Sequence, residues 1–140
     1  MEYNTLIPNE SVGKYTIGDR IHKYLHLKHV HEHCVEKYFE YDRYEFPDDD
    51  IIIYAENDII QNISCDKTCF WQGVNLIRMN FDNFLKRYKI TFDNKEDIYM
   101  RVADRFQTQK VYDFDKLGLQ IWVWRNLIRT VIVSKYEEDE

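Results

Sequence analysis

The sequence contains little glycine and little proline. Its 140 residues include 4 Gly and 2 Pro, too few for flexible linkers or low-complexity segments. A chain of this length is typical of one domain, so we expect a single domain over residues 1–140. Aromatic residues are abundant by contrast, at 16% of the chain, and can fill a substantial core.

Features of secretion and membrane insertion are missing. The 3 cysteines are an odd number without a disulfide framework. Residues 1–8 lack the basic segment and apolar core of a signal peptide. No uncharged run approaches the ~18 residues that a membrane span needs. These absences predict a cytoplasmic protein that makes no contact with a membrane.

Positive charge is scarce. Lys and Arg number 19 against 25 Asp and Glu, which gives a formal net charge of −6. Binding a phosphate backbone needs concentrated positive charge, so direct binding of nucleic acid is disfavoured. An acidic surface would attract a basic partner, although acidic charge can also serve solubility alone.

Catalytic motifs are absent as well. The glycines at 13, 18, 73 and 118 do not form a phosphate-binding loop. The chain contains neither a nucleophile elbow nor an HExxH motif. Its carboxylates occur mainly as runs typical of solvated surface. We therefore expect a protein that is not an enzyme and that needs no cofactor.

The clearest structural signal is a β-hairpin over residues 51–65. Two runs of β-branched residues flank Asn57 and Asp58, which tolerate the positive φ angles of a tight turn. A similar stretch follows at an offset of 69 positions. The matched pairs are Ile52 with Ile121, Asn57 with Asn126, Ile59 with Ile128 and Ile63 with Ile132.

A helix-like pattern repeats at an offset of 60 positions. The matched pairs are Ile17 with Ile77, Ile21 with Phe81, Tyr24 with Phe84 and Leu25 with Leu85. Together the two offsets predict tandem helix–strand–strand–strand repeats over 14–65 and 75–134, although short apolar windows also match by chance.

These patterns predict an α+β fold. Apolar spacing and N-cap residues place helices at 19–26 and 80–88. Packing both on one face of a sheet gives a two-layer domain with two main helices and about six antiparallel strands. The predicted strands cover 38–46, 51–56, 58–65, 109–114, 118–124 and 127–134.

Two tryptophans are candidates for partner binding. In the last hairpin, Trp122 and Trp124 share one face, while Leu119, Ile121 and Val123 share the other. If the helices cover the aliphatic set, the tryptophans stand on the open face, where such residues often dominate binding energy. Alternatively, one or both tryptophans face the helices.

Carboxylates near the first hairpin are further candidates. They lie on neighbouring segments and would form a patch that meets Lys and Arg side chains of a partner. The alternative is a solvated surface without a partner. The residues are Glu40, Asp42, Asp48, Asp49 and Asp50.

All five histidines lie between positions 22 and 33. On a continuous helix His22, His26, His29 and His33 would form one stripe, and His pairs four residues apart are known zinc ligands. Metal binding is therefore a weak alternative function. A solvated, pH-sensitive helix end is favoured over it.

Four stretches together resemble small bacterial immunity proteins of polymorphic toxin systems, such as contact-dependent growth inhibition. The resemblance implies a cytoplasmic inhibitor that binds one cognate toxin domain stoichiometrically, often a basic nuclease, without catalysis. It assigns no individual binding residues. The stretches are Tyr15–Leu25, Ile51–Cys65, Asn75–Leu85 and Leu117–Trp124.

Overall fold

The computed structural model describes residues 3–137. Strands account for 53% of these residues and helices for 11%. The predicted α+β fold with two main helices is wrong, because Phe81–Tyr88 (α1) is the only α-helix in this part of the chain. The protein is mostly β.

Eight of its strands form one antiparallel sheet, in the order β10-β11-β12-β13-β7-β6-β5-β4. Short strands form a three-stranded and a two-stranded sheet outside it, and 3₁₀ helices span Ile21–Tyr24 and Asp115–Leu117. The strands are β1 Leu6–Ile7, β2 Ser11–Val12, β3 Tyr15–Thr16, β4 Val30–Val35, β5 Glu40–Phe46, β6 Ile51–Glu56, β7 Ile59–Cys65, β8 Phe70–Trp71, β9 Val74–Asn75, β10 Asn94–Val102, β11 Arg105–Phe114, β12 Leu119–Trp124 and β13 Leu127–Ser134.

The helix predicted at 80–88 is confirmed as α1. The side chain of Asn80 caps it by accepting a hydrogen bond from the Asn83 amide at 3.1 Å. Lys89 ends it in the left-handed conformation. Phe81 and Phe84 are buried on its inner face, as the apolar spacing predicts.

The helix predicted at 19–26 is a single 3₁₀ turn instead. Asp19 does not cap it, because its carboxylate accepts hydrogen bonds from the Tyr24 hydroxyl and the Lys23 ammonium. The following chain extends into β4 and pairs with β5. The alternating histidines at 29, 31 and 33 have the two-residue period of a strand, a signal that the helical interpretation overlooked.

The sheet consists of two four-stranded meanders, β4–β7 and β10–β13. They join where β7 pairs with β13 in antiparallel register, from Val131 opposite Cys65 to Ser134 opposite Asn62. We call this junction the seam. In each half the strands follow chain order from the outer edge of the sheet to the seam. The two halves are therefore related by an approximate two-fold axis through the seam.

The halves correspond at an offset of 68 positions in their hairpins, so the offset of 69 is wrong by one residue. The cross-strand pair Ile53–Ile63 is equivalent to Ile121–Val131. A slip of one residue exchanges the two faces of a strand. The offset of 69 therefore matched the half-buried Ile52 with the fully buried Ile121.

Backbone hydrogen bonds outside the strands repeat with the halves. The amide of Gly18 donates to the Ile60 carbonyl at 2.9 Å, and that of Arg78 donates to the Ile128 carbonyl at 2.7 Å. Gly18 and Arg78 both have positive φ. In each half, the segment before the helical turn is thus hydrogen-bonded to the second strand of the hairpin nearest the seam. We call these hairpins, β6–β7 and β12–β13, the inner hairpins.

The core lies on one face of the sheet, which we call the core face. The short hairpins, the first 3₁₀ helix and α1 pack there with the inward side chains of the strands. Tyr15 packs on Phe46 with ring centroids 5.0 Å apart, and Phe84 packs on Phe114 at 5.8 Å. The opposite face, which we call the open face, receives none of these elements among residues 3–137.

Candidate functional site

The open face of the sheet carries Trp122 and Trp124. Along β12, Leu119, Ile121 and Val123 are buried in the core, while the intervening side chains are half-buried. The structure thus places the tryptophans opposite the aliphatic set. No element covers this face among residues 3–137. The half-burial of the two tryptophans therefore comes from neighbouring side chains on the same sheet.

Trp122 contacts one residue on its own strand and lies opposite another on the neighbouring strand β11. Its indole Nε1 donates to Gln120 Oε1 at 2.8 Å, which fixes the ring along the strand. In register it lies opposite Val111, whose side chain is only 3% exposed although it belongs to the open face. Trp122 is therefore an ordered aromatic platform on an otherwise uncovered surface.

Two guanidinium groups contact the ring of Trp124. The Arg125 group lies 4.4 Å from the ring centroid and the Arg129 group 5.0 Å. Such cation–π contacts hold the arginine planes against the indole. A partner would meet Trp124 together with the two arginines, so this end of the open face is cationic as well as aromatic.

The first half carries aromatic residues that the sequence analysis did not single out. Tyr54 occupies the position equivalent to Trp122. Tyr41 lies 6.0 Å from Tyr54 between ring centroids, and Phe39 stacks on Tyr41 at 5.8 Å. With the correct offset, the alternation along β6 would have placed Tyr54 on the open face.

Asp42 and Glu40 lie on the core face at the β4 edge, away from the tryptophans. Asp42 Oδ1 is 2.8 Å from His31 Nε2 and 2.9 Å from His33 Nδ1, and Glu40 Oε2 is 3.2 Å from His33 Nε2. The hydrogen bonds from His31 and then His33 lower the pKa of Asp42. The hydrogen bond to Asp42 raises the pKa of His33.

The carboxylates at 48–50 belong to the turn between β5 and β6. Asp49 Oδ2 accepts from the Tyr15 hydroxyl at 2.5 Å and lies 3.3 Å from Lys14 Nζ. Burial and then this hydrogen bond raise the pKa of Tyr15. Asp50 pairs with Lys67 at 3.4 Å, and the Asp48 carbonyl accepts from the Tyr3 hydroxyl at 2.9 Å. This turn anchors the N-terminal hairpins.

The predicted site residues therefore do not form one patch. Asp42 lies near the start of β5, roughly 13 Å from the end of that strand at the strand rise, whereas Asp48 lies in the turn that follows. The tryptophans lie on the other face of the sheet, and most of the carboxylates already have partners within the chain. Of the predicted set, Trp122 and Trp124 alone lie on the open face.

The histidines suggested as metal ligands are dispersed. His22 lies on the first 3₁₀ helix, His26 and His29 lie in the following loop, and His33 lies on β4. Within residues 3–137, no group of three or more His, Cys, Asp or Glu side chains is arranged to hold a metal ion. The helical stripe that motivated this alternative does not form.

Comparisons with protein-family models, with curated proteins and with solved structures found no match to this chain. None of the helices in residues 3–137 has the length and apolar character needed to cross a membrane.

Proposed function

We propose that this protein is a bacterial immunity protein that binds and neutralises one cognate toxin domain. It acts in the cytoplasm by stoichiometric protein–protein inhibition and not by catalysis. The observation that carries the proposal is the open face, an uncovered sheet surface with the ordered aromatic platforms Trp122 and Tyr54 at equivalent positions.

The size of the open face fits a specific protein interface. Eight strands at the usual spacing span roughly 35 Å, and strands of about six residues are roughly 20 Å long. The resulting area of about 700 Å² is close to the ~800 Å² that each partner contributes to a standard interface. Tryptophan and tyrosine are enriched among the residues that dominate binding energy in such interfaces.

Charge favours a basic partner, and a nuclease domain is basic wherever it contacts a phosphate backbone. The net charge of −6 would steer such a domain toward the protein and speed association at low salt. The sequence resemblance to polymorphic-toxin immunity proteins points to the same partner class.

The test is protection of cells from the toxin encoded by the adjacent reading frame. Co-expression of this protein should restore growth, and the purified pair should form a 1:1 complex by titration calorimetry. Unimpaired killing in the presence of abundant soluble protein would refute the proposal. Trp122→Ala provides the matched variant, because the proposal requires it to weaken both protection and binding.

A further inference from the structure

A furrow crosses the open face at the seam. Its main part has a volume of about 890 Å³ and is lined from both halves, by Tyr54 and Asn62 on one side and by Asp113, Gln120 and Ser134 on the other. Two smaller hollows, of about 270 Å³ and 520 Å³, adjoin it, and all three share Asn62. The furrow is therefore continuous from β11 to β5.

The furrow is acidic. Asp113, Asp115 and Glu137 line the main part and Glu56 lines both smaller hollows, whereas Lys135 is the single basic residue along these walls among residues 3–137. None of the four carboxylates forms an ion pair within residues 3–137.

Neutral amides hold the central carboxylate in place. Asp113 Oδ1 accepts from Gln120 Nε2 at 3.0 Å, and Asp113 Oδ2 accepts from Asn94 Nδ2 at 3.3 Å. These contacts orient the group and leave its charge uncompensated. Arg43, which lies opposite Tyr54 in register, is directed to Glu45 at 3.9 Å and does not line the furrow.

Aromatic rings line the same path. Tyr54 and Tyr136 border the main part, and Phe39 and Tyr41 border the hollow at its β5 end. A guanidinium group stacks on aromatic rings and also forms forked hydrogen bonds with carboxylates, whereas an ammonium group does neither as well. A furrow lined by both carboxylates and aromatic rings therefore fits arginine in particular.

We infer that the furrow holds an extended, arginine-rich segment of the partner protein. Six neighbouring strands from β11 to β5 span roughly 24 Å, enough for about seven extended residues. The carboxylates pair with the guanidinium groups, and the tyrosines stack on them. This inference rests on the proposed function, because it names the part of the partner that the open face recognises.

The test uses a blocked seven-residue peptide of alternating arginine and glycine, and the same peptide with glutamate in place of arginine. The arginine peptide should shift the backbone amide signals of Asn62, Gln120 and Ser134 in NMR spectra, with an affinity that falls as salt is added. No binding, equal binding of the glutamate peptide, or shifts confined to other surfaces would overturn the inference.

Two double variants test whether peptide binding depends on the furrow or only on the net charge of the protein. Asp113→Asn with Asp115→Asn should weaken peptide binding roughly fivefold, while keeping an oxygen acceptor for Gln120. Asp97→Asn with Asp104→Asn removes the same charge on the β10–β11 hairpin, outside the furrow, and should have less than about a twofold effect. Equal losses would mean that the peptide responds only to overall charge.

Toxin binding by the same variants distinguishes the two proposals. If wild-type protein neutralises the toxin and the Asp113→Asn, Asp115→Asn variant binds it with unchanged affinity, the furrow inference fails while the proposed function stands. If wild-type protein fails to protect cells and still binds the arginine peptide in the furrow, the immunity function fails while the recognition of basic segments stands.

Discussion

The two halves of the sheet share a core and differ on their surfaces. Aromatic and aliphatic core residues recur at equivalent positions, and both inner hairpins turn through two residues with positive φ. At the tips of the inner hairpins, the equivalent residues differ in charge. The core pairs are Tyr44 with Tyr112, Phe46 with Phe114, Ile53 with Ile121 and Ile60 with Ile128.

The difference gives the tips of the two inner hairpins a separate electrostatic character. The first half presents Glu56 and Gln61 where the second presents Trp124 and Arg129. The first tip places Glu56 beside the furrow, whereas the second places Arg129 against the Trp124 ring. A duplicated scaffold can thus carry two unlike surfaces, because strand alternation keeps the core independent of the open face.

Among substitutions that compare equivalent positions of the two halves, the largest expected effect is at Gly118, the equivalent of Asp50. Both residues have positive φ, but a Cβ at Gly118 would lie 1.9 Å from the Ser134 carbonyl oxygen. Gly118→Ala should therefore lower the free energy of unfolding by ~3 kcal/mol or more in urea titrations. Gly18→Ala is the control, because nothing lies within 4 Å of its Cβ, and it should cost only ~1 kcal/mol.

The next effect concerns the equivalent rings Trp122 and Tyr54. Trp122→Ala should weaken toxin binding by ~2 kcal/mol, and Tyr54→Ala by a smaller amount, because the indole offers more apolar surface. Both variants should stay folded, since neither ring belongs to the core cluster. Calorimetric titration of each purified variant measures the affinity. Unchanged affinity in both variants would mean that the interface lies on another surface.

A smaller effect is expected on the outer hairpin of the second half. This hairpin continues to the pair Val102–Arg105, beyond the point where the first half ends at Val35–Glu40. Phe106, 61% exposed, stacks there on Tyr99 at 5.4 Å. Phe106→Ala should cost only ~0.5 kcal/mol in stability.

Phe114→Ala on the same strand is the reference for that prediction. Because its ring is buried in the core, truncation to alanine should lower the free energy of unfolding by ~3–5 kcal/mol. Comparable losses of unfolding free energy for the Phe106 and Phe114 variants in urea would show that the outer hairpin packs as tightly as the core.

The smallest effect is a pH dependence confined to the first half. His33 places both ring nitrogens against carboxylates, on Asp42 and Glu40, which favours the imidazolium. Since the folded pKa lies above the ordinary 6.5, this stabilisation is full below that value and is lost as pH rises through the folded pKa. The equivalent pair in the second half is Asp97 and Lys110, and it contains no histidine.

His33→Gln should accordingly flatten the dependence of unfolding free energy on pH between about 6 and about 8. Urea titrations at several pH values measure the slope. Because His31 also contacts Asp42, His31→Gln serves as the comparison. An unchanged slope in the His33 variant would mean that other groups carry the pH dependence.

Local patterns in the sequence predicted individual elements, although the predicted fold class was wrong. The inner hairpins and α1 follow from β-branched runs, turn residues and the Asn80 cap, which act within a few positions. The predicted first helix is only a 3₁₀ turn, and it lacks the side-chain cap that Asn80 provides for α1. β10 and the first half of β11 were not recognised, because these exposed stretches lack the alternation that burial imposes.

The candidate site was predictable only in part. Alternation along β12 places Trp122 and Trp124 together on one face, whatever covers the other. The roles of Asp42 and Asp49 depend on partners across the sheet and in the N-terminal hairpins, such as His31 and Tyr15. Such partners are distant in sequence or depend on strand register, so composition and spacing cannot reveal them.

The seam has a consequence for folding. Its strand partners lie roughly 70 residues apart along the chain, so their pairing closes a long loop and carries a large entropic cost. Every other contact in the large sheet joins neighbouring strands of one meander. Each half can therefore assemble from local contacts before the seam closes, and seam formation becomes the natural rate-limiting event. Until then, two inner strand edges are exposed to other chains.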